Sequence, residues 1–509
     1  MTSNSANNKR IARNTVLLYV RMLFTIVISL YTSRVILNTL GVEDYGIYGL
    51  VGGVVIMLTF INSSMSGATS RFITFALGEN NAGKLRDIFN TAFYIHMIIA
   101  VAIVLIAETA GLWFITNKLQ IPSERFDAAV CVFHLFVVST IIPVIQTPFN
   151  ATIIAYERMD VYAYFEILNS ILKLAIVFLL PSLPYDKLIT YGFLFLAVNI
   201  VIFICYVAYS RTHFKVCRVV RLKNNANFKP MLQYCMWDLF GSLSGTLKQQ
   251  GTNVLINMFF GVLLNAASAI ATQIQAAVSG LAQNVIHAFR PPIIKSFSQN
   301  NIPLMQQYVC NAIKYSLLLY SLCIVPLYIE LDFVLHIWLG VVPEYASSFC
   351  RLLLINSYIG LAVMILITSN HATGKIKYLS TATGIYNLLI LPVTYMAFRY
   401  FEAPPEATYI VGIGFASLTL ITDMLITKRL IPAIHLRKIS ESIVNPALIT
   451  LVAFIVTYLV KMCDAKPIIE FFLVIAVSVI CHLILTFWFA LSKEMRGSVI
   501  NRLKKTIAL

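Results

Sequence analysis

Residues 188–210 read LITYGFLFLAVNIVIFICYVAYS, and residues 211–229 follow as RTHFKVCRVVRLKNNANFK. The first stretch carries no charged side chain and is long enough to cross a bilayer, which takes about 20 mostly apolar residues. The second stretch is the densest basic cluster in the chain. An apolar helix that ends in a basic loop is typical of a multi-pass membrane protein.

The composition of the whole chain agrees with this local pattern. Of 509 residues, 59% are hydrophobic and 12% are charged, whereas a soluble domain carries about 25% charged residues. The mean hydropathy is +0.81. These values exclude a soluble globular protein and a disordered chain. The nine cysteines contain no C-x-x-C pair and are too few for a disulfide scaffold, so we interpret them as small apolar side chains.

Apolar stretches of spanning length recur along the entire sequence. About fourteen such segments are present by length and composition. The fold class is therefore predicted to be an all-α polytopic membrane protein. The segments centre near Ile26, Ile56, Ile99, Val138, Leu172, Val198, Leu243, Ala276, Leu319, Leu361, Leu389, Leu418, Ile455 and Val479.

The net charge of +16 is explained by the distribution of basic residues between alternate loops. About 26 of the 38 Lys and Arg residues lie at the termini or after even-numbered segments, which the positive-inside rule assigns to the cytoplasm. We therefore expect both termini and the 211–230 loop to be cytoplasmic. Because the charge reports topology, nucleic acid is not an expected partner.

An internal repeat with a period of about 220 residues divides the chain. TSRVILNTLGV (32–42) aligns with TNVLINMFFGV (252–262), and Asn80-Asn81 aligns with Asn300-Asn301. Parallel repeats of six helices are typical of transporters that work by alternating access. The expected organisation is a six-helix lobe over 1–215, a basic linker over 216–230, a second six-helix lobe over 231–436, and two extra helices with a basic tail over 437–509.

Polar residues follow one face of two helices that are otherwise apolar. In the eighth segment they recur at helical spacing, and the second segment repeats the theme. Lipid does not solvate such a face, so it must meet protein or water. Contact between helices explains the pattern as well as a cavity does in the second segment, and less well in the eighth. The candidate glycan-binding residues are Asn62, Ser66, Thr272, Gln275, Ser279 and Gln283.

Ionisable residues inside the apolar segments indicate a site for an anion. A charge in the middle of a membrane costs about 2.5–3.5 kcal/mol on insertion scales, so it is retained for a reason. Arg21, Lys173 and Lys248 lie deepest, and Arg34 and Arg290 lie nearer the segment ends. A planar guanidinium can bind two phosphate oxygens at once. These five basic residues are the candidate ligands of a phosphate group, although pairing between helices would also explain Lys173.

Acidic residues are fewer at this depth. Glu166 shares a helical face with Lys173, and Asp238 lies early in the seventh segment. Both are candidates for coupling to H⁺ or Na⁺. Motifs for zinc proteases, nucleotide hydrolases and serine hydrolases are absent from the sequence, so we expect no enzymatic activity, no metal and no cofactor.

Two short motifs carry a resemblance to a known family. Ser33-Arg34, Leu40-Gly41 and Asp44-Tyr45-Gly46-Ile47-Tyr48 resemble the first hairpin of the polysaccharide branch of the multidrug/oligosaccharidyl-lipid/polysaccharide exporters. Tyr156-Glu157-Arg158-Met159 resembles the loop after the fourth helix in lipid-linked oligosaccharide and O-antigen flippases. The layout of two six-helix lobes and two additional helices is similar over the whole chain.

The resemblance implies a MATE-like fold and a bacterial inner-membrane flippase of lipopolysaccharide or other polysaccharide biosynthesis. Its expected substrate is an undecaprenyl-diphosphate-linked oligosaccharide that crosses a cationic central cavity, and other polysaccharide assembly proteins are possible partners. Two alternatives stay open at this point. One is a cation-coupled multidrug exporter of the same fold, and the other is a membrane glycosyltransferase or ligase.

Overall fold

The computed structural model of the protein describes residues 13–28, 31–32, 35–36, 39–40, 44, 47–48, 51–52, 59–118, 121–220, 227–339, 342–462, 467–490 and 496–497. Within these ranges the chain consists of helices and connecting turns. The expectation of an all-α protein is confirmed. Arg34 and the centre of the second predicted segment, Ile56, lie outside the described residues.

Among the described residues of the first half of the chain there are seven helices, beginning with α1 over residues 13–28. A π-helical turn, Ala107–Gly111, joins α3 to α4. The helices after α1 are α2 (Thr59–Gly78), α3 (Ala82–Ile106), α4 (Leu112–Lys118), α5 (Phe126–Ala155), α6 (Met159–Leu179) and α7 (Lys187–His213).

Nine helices are present in the described part of the second half, and α11 is a short connecting segment among them. They are α8 (Phe228–Phe260), α9 (Val262–Ser298), α10 (Ile302–Ile329), α11 (Leu331–Leu339), α12 (Ala346–Thr373), α13 (Lys377–Tyr400), α14 (Ala407–Leu430), α15 (Leu436–Lys461) and α16 (Pro467–Leu485).

Ten helical segments of the described chain are long and apolar enough to cross a membrane. Each of them contains one of the segment centres that the sequence analysis identified. The helices α2, α8 and α9 have 20, 33 and 37 residues but are more polar, because they carry the Ser, Thr, Gln and Gly residues discussed above. The chain is a multi-pass membrane protein, and the total of fourteen spans stays a prediction.

The chain forms two compact units. The first comprises residues 1–242 and 294–300, and the second comprises residues 243–293 and 301–509. The division falls within α8, whereas the sequence analysis placed it in the basic loop. In the first unit α5 packs against α2, α3 and α7 around Phe89, Phe133 and Phe149. In the second unit α10 packs against α12, α15 and α16.

The two Asn-Asn pairs of the repeat have the same local structure. Asn80 and Asn300 end their helices with φ values of 55° and 56°, a left-handed conformation that asparagine tolerates better than most residues. The next residue caps the following helix in both places. Asn81 Oδ1 accepts a hydrogen bond from the Lys84 amide at 3.0 Å, and Asn301 Oδ1 accepts one from Leu304 at 3.1 Å.

A charged cluster connects Asp44 with α5 and α7 in the first unit. Arg125, at the start of α5, donates hydrogen bonds from Nε (2.8 Å) and Nη2 (2.5 Å) to Asp44. Its Nη1 donates to Asp186, which also caps α7, at 2.5 Å. Two carboxylates around one guanidinium form a partly buried clamp.

Candidate functional site

The first unit brings four polar residues of its predicted membrane helices together between α1, α6 and α7. Arg21 on α1 donates a hydrogen bond from Nη1 to the hydroxyl of Tyr162 at 2.9 Å, and its guanidinium carbon lies 5.1 Å from the centre of that ring. Glu166, one turn further along α6, interacts electrostatically with Arg21 and with Tyr206 of α7. We call Arg21, Tyr162, Glu166 and Lys173 the Arg21 cluster.

The charges of the Arg21 cluster are near one another without being locked in a salt bridge. Lys173 lies two turns beyond Glu166 on α6 and interacts electrostatically with it, and its Nζ lies 5.2 Å from the ring centre of Phe195. In the described part of the chain, neither Arg21 nor Lys173 has a carboxylate oxygen within 4.0 Å. The Nε of Arg21 is buried with no hydrogen-bond partner there. The cluster therefore retains donors for an anion.

The second unit holds Lys248 in a cavity of about 270 Å³ formed by α8, α9, α12, α13 and α14. Its lining contains one basic residue and no carboxylate, and amides and hydroxyls dominate the rest. Among the described residues Lys248 has no ion-pair partner. We call this space the Lys248 cavity. Its polar lining residues are Lys248, Gln249, Thr252, Asn253, Ser268, Thr272, Gln275, Asn356, Ser357, Asn387, Thr408 and Tyr409.

Hydrogen bonds between helices hold the donors of the Lys248 cavity in place. Gln275 on α9 donates to the Ser357 hydroxyl on α12 at 2.8 Å. Tyr409 on α14 donates to the Ser268 hydroxyl at 2.9 Å, and Ser268 donates to Asn253 on α8 at 3.2 Å. A cavity lined by fixed, uncharged donors and acceptors suits a ligand that is rich in hydroxyl groups.

The predicted glycan-binding residues do not all lie in one place. Thr272 and Gln275 line the Lys248 cavity, where the sequence analysis expected a polar face. Ser279 is buried and accepts a hydrogen bond from Gln275 at 3.2 Å, and neither Ser279 nor Gln283 lines that cavity. Ser66 is half-buried on α2, and the side chain of Asn62 lies outside the described part.

Two further predicted residues are half-buried and have interaction partners. Arg290 lies near the end of α9, and Asp238 lies in the third turn of α8, one turn after Cys235. Neither lines the Lys248 cavity or belongs to the Arg21 cluster. Arg34 is outside the described residues.

The structure also identifies a buried carboxylate that the sequence analysis missed. Asp423 on α14 is 0% exposed, and neither of its carboxylate oxygens has a hydrogen-bond partner in the described part of the chain. Thr419 and Thr427, four residues before and after it, are buried as well. This i, i+4, i+8 pattern on one helical face is the signal from which a buried Asp423 could have been predicted.

Two histidines of the first unit differ in their surroundings. His96 is 0% exposed, and its Nδ1 lies 2.8 Å from the carbonyl oxygen of Ala92. The side chain of His134 is 44% exposed, and its Nδ1 lies 3.0 Å from Glu108, which belongs to the π-helical turn.

Comparison with known proteins places the chain in a structural class. It resembles a multidrug resistance MATE family transporter in an outward-facing conformation, with a TM-score of 0.72, 13% identity, and coverage of 83% of this chain and 96% of that chain. A transporter from Pyrococcus furiosus whose binding pocket is described as having reverse polarity gives a TM-score of 0.69, 14% identity, and coverage of 86% and 96%. A Vibrio cholerae MATE transporter gives 0.69, 15% identity, and coverage of 86% and 99%.

At these identities the comparisons show the fold, which is that of the MATE transporters. No curated protein matches the sequence. A family model described as "Polysaccharide biosynthesis protein" matches residues 11–295, which is more than half of the chain. The matched range contains the Arg21 cluster, Lys248 and the polar face of α9. The chain therefore belongs to the polysaccharide biosynthesis protein family.

Proposed function

We propose that this protein is a flippase that moves an undecaprenyl-diphosphate-linked oligosaccharide from the cytoplasmic to the periplasmic leaflet of a bacterial inner membrane by alternating access. The observation that carries the proposal is that three cations on helices predicted to cross the membrane, Arg21, Lys173 and Lys248, have no ion-pair partner in the described part of the chain. Unpaired cations at this depth are expensive, and a diphosphate would compensate them.

Each unit supplies a different part of the chemistry in this proposal. The guanidinium of Arg21, which Tyr162 orients, and the ammonium of Lys173 bind phosphate oxygens. In the second unit the ammonium of Lys248 offers a partner for an anionic oxygen, and the amides and hydroxyls of the Lys248 cavity offer partners for sugar hydroxyls. The prenyl chain stays in the bilayer, because its transfer into water would be unfavourable.

The membrane potential favours export in this scheme. Each negative charge that moves outward gains about 2.3 kcal/mol for every 100 mV of inside-negative potential. Glu166 is a candidate for coupling transport to H⁺, since protonation of this carboxylate would raise the positive charge of the Arg21 cluster. Asp238 stays a second candidate for coupling.

The decisive experiment measures translocation directly. The purified protein is placed in liposomes with a fluorescent lipid-linked oligosaccharide, and quenching from outside reports the exposed headgroups. We expect Arg21→Ala, Lys173→Ala and Lys248→Ala each to slow translocation about tenfold or more, since each removes one charge-assisted contact. Arg211→Ala and Lys215→Ala change exposed cations in the last turn of α7 and just after it, and they are the controls. Normal translocation by all three test variants contradicts the proposal.

A multidrug exporter is the second candidate, because the fold is that of MATE transporters. Glu166 would be the carboxylate that attracts a cationic drug. Its surroundings argue against this role, since Arg21 and Lys173 outnumber its single negative charge and would repel a cationic drug. Efflux of a cationic dye by the same liposomes, abolished by Glu166→Gln and unaffected by Arg21→Ala, would favour the exporter.

A further inference from the structure

A second polar cavity lies in the second unit, away from the residues discussed so far. It has a volume of about 600 Å³ and is formed by α10, the start of α15, and the residues that follow α16. Two polar stripes at helical spacing line it. One is Gln307, Asn311 and Lys314 on α10, and the other is Lys438, Ser442 and Asn445 on α15. We call it the α10–α15 cavity.

The cavity carries a surplus of positive charge. Lys314 and Lys438 have no ion-pair partner among the described residues. The single acid in the lining, Glu441, is held 2.9 Å from the Nε of Arg437, so its charge is offset. The first turn of α15 also opens here, and His435, which precedes it, provides no side-chain cap. The positive end of the helix dipole adds a further preference for an anion.

The position of the cavity indicates where its ligand comes from. Lys314 lies 12 residues into α10, which places it about 18 Å from the start of that helix. The half-buried Lys314 is therefore at membrane depth, where lipid tails do not solvate an ammonium. Phe489, which also lines the cavity, is 72% exposed and offers a path for acyl chains. The charge pattern of the loops assigns this end of α10 and α15 to the cytoplasm.

We propose that the α10–α15 cavity binds the phosphate group of an anionic membrane lipid, with Lys314 and Lys438 as its ligands and Asn311 and Asn445 as hydrogen-bond donors. Basic pockets between transmembrane helices on the cytoplasmic side are suited to such headgroups. The volume lies in the range of small-molecule sites. The inference is independent of the flippase proposal, because it uses none of the residues assigned to the substrate.

Native mass spectrometry of the full-length protein in detergent tests this site, with phosphatidylglycerol and phosphatidylcholine of equal chain length as probes. We expect phosphatidylglycerol to bind and phosphatidylcholine to bind far more weakly. The Lys314→Gln/Lys438→Gln variant should lose about 30-fold in affinity for phosphatidylglycerol, since each basic side chain contributes roughly fivefold. Lys215→Gln/Lys375→Gln removes two exposed lysines outside the cavity and should bind like the unmodified protein.

A single variant and a competition experiment with inorganic phosphate complete the test. Lys438 is exposed, so Lys438→Gln alone preserves the fold and should still weaken binding about fivefold. Equal binding of phosphatidylglycerol by the unmodified protein and the cavity double variant overturns the proposal. Inorganic phosphate at millimolar concentration distinguishes the two sources of a phosphate group. Retention of the lipid in its presence supports a lipid site, whereas displacement of the lipid overturns that assignment.

Discussion

At the scale of single residues, Asp423 places an ionisable carboxylate in a fully buried environment. It is 0% exposed, and no hydrogen bond to either carboxylate oxygen is present in the described part of the chain. A charged group in such a place costs several kcal/mol unless it is paired. Asp423 therefore lowers the stability of the second unit, and its retention requires a reason other than folding.

Replacement of Asp423 by Asn should raise thermal stability at neutral pH. The amide has a similar shape and cannot ionise, so the cost of burying a charge disappears; we expect a gain of about 1 kcal/mol. Thermal unfolding of the detergent-solubilised protein measures it. Asp160→Asn is the matched control, because Asp160 accepts a hydrogen bond from Arg158 at 3.0 Å and its loss should destabilise. A lower unfolding temperature for Asp423→Asn contradicts this interpretation.

Arg125, in contrast, is a charged residue whose guanidinium is paired with two carboxylates. Arg125→Gln should lower the free energy of unfolding by about 2–4 kcal/mol, because it removes charge-assisted bonds to Asp44 and Asp186 and leaves two carboxylates unpaired. A double-mutant cycle with Asp44→Asn measures the coupling. Arg437→Gln breaks an exposed i, i+4 pair and should change stability by less than about 0.5 kcal/mol. A similarly small effect for Arg125→Gln would show that the clamp contributes little.

At the scale of helices, the positions of the apolar spans could be predicted from the sequence. The contacts between polar side chains could be predicted only in part. Hydropathy located the ten strongly apolar spans, because membrane crossing imposes a minimum length. The spacing on α9 predicted a shared polar face, and Thr272 and Gln275 line the same cavity. Gln283 lies two turns further along the same face of α9 and does not line that cavity. The clamp around Arg125 joins residues 81 and 61 positions apart, a pairing that no local pattern contains.

The two asparagine caps permit a paired test of the repeat. Asn81→Ala and Asn301→Ala should each destabilise the protein by about 1 kcal/mol, the usual cost of losing a helix cap. Similar losses are expected because the two caps have the same geometry. Chemical denaturation of both variants measures them. A serine at either position should restore most of the loss, since its hydroxyl also caps. A loss at one position only would show that the two loops are not energetically equivalent.

At the scale of the whole molecule, acid should weaken both units through carboxylates on the predicted outer side. Burial alone would raise the pKa of Asp186, but the hydrogen bonds from Arg125 and the Ile189 amide outweigh it and hold the pKa below its usual value. Burial likewise opposes Ser347 and Arg351, whose hydrogen bonds nevertheless lower the pKa of Asp332. The stability that these groups contribute is therefore complete above about pH 3.9 and is lost as the pH falls through the lowered folded-state values.

Thermal unfolding between pH 3 and 6 checks this, with the pH limits set by the usual carboxyl pKa of about 4. Asp186→Asn and Asp332→Asn should each reduce the dependence of the unfolding temperature on pH at the acidic end. The variants Lys215→Gln and Lys375→Gln, which leave every carboxylate intact, should keep the slope of the unmodified protein. An unchanged slope for both aspartate variants would show that other carboxylates control acid unfolding.

The two asparagine turns provide information about the evolutionary origin of the chain. A left-handed asparagine followed by a capping asparagine is a specific solution to reversing the chain, and other sequences solve the same problem. Its recurrence at two sites 220 positions apart is most simply explained by duplication of one ancestral gene segment. The ancestor would then have encoded a half-length membrane protein that worked as a pair of identical copies.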